Sequence, residues 1–168
     1  MKAVRKSSSG RGYAHLVEID APIGRVWRAL IDPGLIRIWS GLEAQVESRK
    51  GGNYRLGKPG PAAREAVIEV FDVNRRLKLC YLPDLKMPTQ SNAIADDFIV
   101  DVRKGKSVTS LRLLGFGYPE DSAWDRYYAH HRMSWERLLS RIKVTLEKPP
   151  VSKKLEPKPD PPLPGLDY

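Results

Sequence analysis

The stretch from Asp121 to Glu147 limits what this chain can fold into more than any other. Laid out at about 100° per residue, Trp124, Tyr127, Tyr128, Trp135, Leu138, Leu139, Ile142 and Leu146 fall on one stripe. Asp125, Arg126, Arg132, Glu136, Arg137, Lys143 and Glu147 take the other side, as expected for a helix with one buried face. At about 1.5 Å per residue such a helix is roughly 40 Å long, so it needs a wide apolar surface to lie on. The stripe changes along its length, from aromatic with polar tips to purely aliphatic, and His131 sits in its aromatic part. The aliphatic end reads as core and the aromatic end as the lining of a cavity.

The preceding residues supply the surface. Tyr13 to Asp20 alternate, with Tyr13, His15, Val17 and Ile19 on one side, and predict a half-buried strand. Asp20-Ala21-Pro22 opens a helix in which Asp20 is placed to cap and Val26, Trp27, Ala29 and Leu30 are buried. Asp32-Pro33 breaks it and starts a second short helix through Trp39. Short strands then follow at Leu42–Glu47, Tyr54–Leu56, Ala66–Val73, Leu77–Leu82, Ala93–Val102 and Val108–Phe116, separated by Gly, Pro and Asn turns that include Lys104-Gly105-Lys106. The expectation is an α+β fold. A curved antiparallel sheet of about six or seven strands wraps around a long C-terminal helix, and two short helices follow strand one.

Three segments are expected: a disordered basic N-terminus at 1–12, one domain at 13–147 and a Pro-rich tail at 148–168 holding half of the 14 prolines. The net charge of +9 divides into four charges in the first segment, one in the last and four over the body. No single element concentrates them, which argues against nucleic acid. No apolar run reaches the roughly 20 residues that span a bilayer, and the start lacks a signal peptide's apolar segment, so membrane insertion is not expected. The single cysteine, Cys80, cannot form a disulfide within the chain and points to a reducing cytoplasm. His130 and His131 cannot share a metal from one helix, where ligands need i, i+3 or i+4 spacing. No metal or other cofactor is called for.

The residues Ile19-Asp20-Ala21-Pro22, Val26-Trp27, Ala29-Leu30, Asp32-Pro33 and Trp39 carry a resemblance. Gly51-Gly52-Asn53-Tyr54-Arg55, Arg75-Arg76-Leu77, Thr109-Ser110-Leu111 and the run Trp135, Leu138, Leu139, Ile142, Lys143, Glu147 extend it. Together, over roughly Tyr13 to Glu147, the chain resembles the START-like (SRPBCC) superfamily, the helix-grip fold of the birch pollen allergen. Within it the resemblance is to the branch named after activators of the heat-shock-protein-90 ATPase. It implies a cavity between helix and sheet used for lipids, polyketides or other apolar molecules. It implies chemistry weakly, since carriers, cyclases, sensors and co-chaperone domains share the fold. Many relatives carry Thr-His-Ser-Gly-Phe at the end of the last strand; this chain has Leu114-Gly115-Phe116-Gly117-Tyr118, which removes a histidine from the expected cavity wall.

The ligand-binding candidates are Trp124, Tyr127, Tyr128, His131, Trp135, Trp39 and Tyr54. Trp39 has a possible place at the cavity mouth; Trp27, Trp39, Tyr54 and Tyr81 otherwise read as core. His131 and Asp96 are candidate catalytic residues with no assigned reaction. Asp96 shares strand parity with Phe98, Val100 and Val102, so it projects inward; beside His131 it would form an acid–base pair. The alternatives are a core histidine hydrogen-bonded to a strand and an aspartate at the strand's rim. Asp97 and Asp101 are expected to face water, Arg112 to be exposed and His130 to be solvated. The leading reading is a non-catalytic module binding a small apolar or amphipathic molecule. A cyclase- or hydrolase-like enzyme using His131, and a co-chaperone-like module with a protein partner, are the alternatives.

Overall fold

Local chemistry sets each element of the computed structural model, which describes residues 10–103 and 107–148. Strand β1 (Arg11–Ile19) is followed by α1 (Ile23–Ile31) and α2 (Pro33–Ser40). Then come β2 (Ala44–Val46), β3 (Asn53–Leu56), β4 (Arg64–Asp72), β5 (Arg76–Tyr81), β6 (Ala95–Val102) and β7 (Thr109–Tyr118). A single 3₁₀ turn at Ser122–Trp124 leads into the long helix α3 (Asp125–Glu147). Most of the expected basic segment, the Lys104–Lys106 turn and all but the first residue of the Pro-rich tail lie outside the described residues.

All seven strands form one antiparallel sheet in the order β1-β7-β6-β5-β4-β3-β2. Among the described residues only the β1–β7 pairing joins strands distant in sequence, as the helix-grip fold requires. Alternation then decides the inner face: Ala66 and Ile68, Leu77, Leu79 and Tyr81, Asp96, Phe98 and Val100, and Leu111 and Leu113 are all buried. Trp135, Leu139, Ile142 and Leu146 of α3 lie against this core.

The helix pair is built around its own break. Pro33 occupies an early helical position and the Asp32 carboxylate accepts from the Gly34 N–H at 2.8 Å, capping α2. Asp20, expected to cap α1, does not: Pro22 is the residue before that helix, and the Asp20 N–H donates to Glu147 Oε2 at 2.8 Å, tying the end of β1 to the end of α3. The last carbonyls of α1 have no partners within the helix. Two aromatic side chains supply them: Trp39 Nε1 donates to Ala29 O at 2.8 Å and the Tyr54 hydroxyl to Leu30 O at 2.7 Å.

Three further expectations are corrected. Strand β1 starts two residues earlier than the alternation indicated, and β4 starts at Arg64 rather than Ala66. Asp97 points to the outer face as expected but is buried there, because the Arg76 guanidinium covers it with two-pronged contacts at 2.8–3.2 Å. Asp101 and Arg112 are exposed, as their parity implied. Among the described residues no helix is long and apolar enough to cross a membrane.

Candidate functional site

Five strand ends meet at the aromatic end of α3: the starts of β1, β4 and β6 and the finishes of β5 and β7. Each delivers a polar side chain to the inner face there, which is why the polar core sits at this end. The centre is Asp96, fully buried. Its Oδ1 accepts the Tyr13 hydroxyl at 2.6 Å and its Oδ2 the Tyr81 hydroxyl at 2.8 Å. Burial pushes its pKa above the ordinary carboxylate value, against the opposing pull of the Arg64 charge and of hydrogen bonds from Tyr13, Tyr81 and Trp135.

Tyr13 reaches Asp96 through a gap in the sheet. Tyr13 and Asp96 both lie opposite Gly115 in the strand register, one on each side of β7. A β-carbon at Gly115 would run into the Tyr13 ring. The absence of a side chain at Gly115 is therefore the space the tyrosine occupies. The Tyr13 hydroxyl also lies 3.3 Å from that of Tyr118.

Arg64 is the member of this cluster that the sequence did not disclose. As the first residue of β4 it shares parity with Ala66 and Ile68, which turns its side chain inward; taking the strand to begin at Ala66 hid that signal. Its guanidinium stacks on the Tyr81 ring, with Cζ 3.7 Å from the centroid. Nη1 lies 3.0 Å from His131 Nδ1. Nε and Nη2 are buried and meet no hydrogen-bond partner. A guanidinium can only donate, so His131 Nδ1 must be the acceptor, and the neutral ring carries its proton on Nε2. The ring stays neutral because burial, then the charges of Arg64, His130 and Lys86, pull its pKa down to about 2.

Beside this network a cavity of about 630 Å³ opens between the loop before β4, the loop after β5 and the start of α3. Pro61, Ala62, Ala63, Leu85, Pro88 and Ala123 form its apolar walls; Arg64, Asp84, Lys86, Arg126, Tyr127, His130 and His131 supply the rest. The Asp84 carboxylate is occupied by its own loop: Oδ1 accepts the N–H groups of Lys86 and Met87 at 2.9 and 3.1 Å, and Oδ2 the Tyr127 hydroxyl at 2.7 Å.

Of the seven candidate ligand residues, Tyr127 and His131 line this cavity and five do not. Trp39 and Tyr54 are drawn into the core by the α1 carbonyls, so Trp39 is not at a mouth. Trp135 is buried between Phe98 and Trp39, with ring centroids 5.3 and 6.2 Å away. Trp124 is buried edge-on to Tyr127, centroids 5.1 Å apart. Tyr128 turns toward β1, where its hydroxyl donates to Gly12 O at 2.6 Å. The expected acid–base pair is not assembled either: among the described residues His131 and Asp96 share no hydrogen bond, and each is held by other partners. His130 is exposed at the rim.

The same architecture recurs in solved structures. The Mesorhizobium loti protein MLL2253 is 18% identical with a TM-score of 0.69, over 81% of this chain and 96% of that one. CalU16 from Micromonospora echinospora is 22% identical at 0.65, covering 82% of this chain and 75% of that one. The Aha1 dimer from Colwellia psychrerythraea is 15% identical at 0.66, covering 82% and 96%. At these identities the likeness concerns the fold. No curated protein matches the chain. The model of a family described as "Activator of Hsp90 ATPase homolog 1-like protein" matches residues 20–147.

Proposed function

We propose a binding role for this chain, which belongs to the activator of Hsp90 ATPase homolog 1-like family of the START-like superfamily. In this reading it holds a small apolar or amphipathic molecule in the cavity at the aromatic end of α3. The observation that carries the reading is the make-up of that cavity. Its volume of about 630 Å³ falls within the roughly 300–1,000 Å³ of small-molecule sites, which pair mostly apolar walls with a few convergent polar groups. Tyr127 and His131 would touch the bound molecule, and Trp124 would support Tyr127 from behind.

The reading is non-catalytic. General acid–base work at neutral pH favours a group whose pKa lies near 7. His131 is held near 2, with Nδ1 already engaged by Arg64, and both Asp96 oxygens accept tyrosine hydroxyls. Thermal-shift screening against a library of apolar molecules, with native mass spectrometry of the hits, tests the proposal. Hits that stabilise the wild type and not Ala123→Trp, which fills the cavity, support it; a library without a single such hit ends it. Family membership supports a second reading, a protein-interaction role like the one the family's description names. Stimulation of an Hsp90 ATPase by the purified chain is its test.

A further inference from the structure

We infer that the molecule held in this cavity is an acid, an apolar body ending in a carboxylate that Arg64, His131, Lys86 and Arg126 recognise together. The inference rests on the binding role proposed above and adds the chemical class of its ligand. Three observations lead to it. First, the charges lining the cavity are unbalanced: Arg64, Lys86 and Arg126 stand against one acid, Asp84, whose two oxygens are already taken by Lys86 N, Met87 N and the Tyr127 hydroxyl.

Second, the polar groups left over at Arg64 and His131 are donors. Because Arg64 Nη1 donates to Nδ1 of His131, the ring presents Nε2–H, which has no partner among the described residues. Arg64 adds its charge behind the ring, while its Nε and Nη2 are buried and do not open on the cavity. A carboxylate accepts the Nε2–H bond and balances that charge, an alcohol only accepts the bond, and an ammonium does neither.

Third, the charge and the donor are held in advance. Stacking on Tyr81 and the bond to His131 fix the guanidinium and the ring, so little side-chain freedom is lost when a carboxylate arrives. Apolar walls on the same cavity lower the local dielectric and strengthen the attraction. Lys86 and Arg126 are exposed and act at the rim, where they draw the anion in.

The test separates the two layers of the claim. N-phenyl-1-naphthylamine, a neutral fluorescent probe, reports on the apolar cavity, and decanoate, decan-1-ol and decyltrimethylammonium compete for it. Decanoate should displace the probe about tenfold better than decanol, with the ammonium weakest, since charge-assisted bonds are roughly twice as strong as neutral ones. Arg64→Gln should bring the decanoate-to-decanol ratio to about one. Where that variant does not fold, His131→Phe, which keeps a ring and removes the Nε2–H donor, should lower the ratio a few-fold. Decanol binding as well as decanoate, or a ratio unchanged in whichever variant folds, overturns the acid assignment and leaves the binding role standing. Failure of the probe and of all three decyl compounds to bind removes the binding role and this inference with it.

Discussion

The two halves of α3 solve opposite problems. From Leu138 to Leu146 the helix meets the sheet through aliphatic surface, and its polar contacts stay at the edge: Lys143 Nζ donates to Glu18 O at 2.6 Å and pairs with Glu147 at 2.7 Å. From Tyr127 to His131 the polar groups lie inside, and the edge is loop in which apolar residues alternate with charged ones such as Asp84 and Lys86. A core of shape-matched side chains is indifferent to which neighbour supplies the surface. A buried polar cluster holds only when each partner is in position, since a lone buried donor or acceptor costs about 1–3 kcal/mol. The packed half therefore carries stability and the polar half carries specificity.

The sharpest way to break this division is Leu139→Ala in the packed half. It should cost about 3 kcal/mol of stability, the usual size for truncating a buried leucine, read by urea denaturation, and leave ligand preference unchanged. Gly115→Ala attacks the other half. A methyl group there pushes Tyr13 off Asp96, and the expected loss is about 2 kcal/mol of overpacking, with the Tyr13 ring signals shifting in the NMR spectrum. A variant as stable as wild type would mean that the sheet yields at this point and Tyr13 is not needed there.

A pH series separates the halves next. The unfolded chain takes up a proton on His131 near its ordinary pKa of 6.5, the folded chain only near 2. The stability from the neutral ring is thus complete above pH 6.5 and is lost as the pH falls. Between pH 6.5 and 5.5 the loss should be about 1 kcal/mol. Asp96, whose pKa is raised, acts in the opposite sense at lower pH, so the comparison is with His131→Gln, in which this loss should vanish. The smallest effect belongs to Lys143→Met at the packed end. An exposed i, i+4 pair contributes about 0.5 kcal/mol at most, and a larger loss in thermal melts would show that the rim contacts bear weight.

What could be read in advance follows the same division. Period and parity disclosed the packed half, because burying an apolar face imposes a repeat on the sequence: the α3 stripe, the inward Phe98 and Val100, the Val26–Leu30 face of α1. Parity also turned Asp96 inward. What parity could not supply was partners. Nothing near Asp96 in the chain announces that Tyr13, 83 residues away, will cross a neighbouring strand to meet it. The Asp97 carboxylate has the outward parity of a solvated residue and is buried all the same, because Arg76 on the next strand lies over it. Arg64 was hidden by composition: an arginine at a strand's start, next to Glu65, looks like surface. Asp84 and Lys86 come from a loop whose path no repeat encodes.

Arg11, Gly12 and Tyr13 are three consecutive residues with three consecutive anchors: Arg11 holds Pro119 O, Asp121 O and Asp125, Gly12 O takes the Tyr128 hydroxyl, and Tyr13 meets Asp96. Tension applied just ahead of Arg11 would thus pass in two steps to the centre of the polar cluster, while tension applied after Glu147 would load the bonds that tie it to Asp20 and Lys143, at the far end of the helix. A reporter or affinity tag belongs at the carboxyl end, and a fusion placed at the amino end becomes a mechanical handle on the polar cluster.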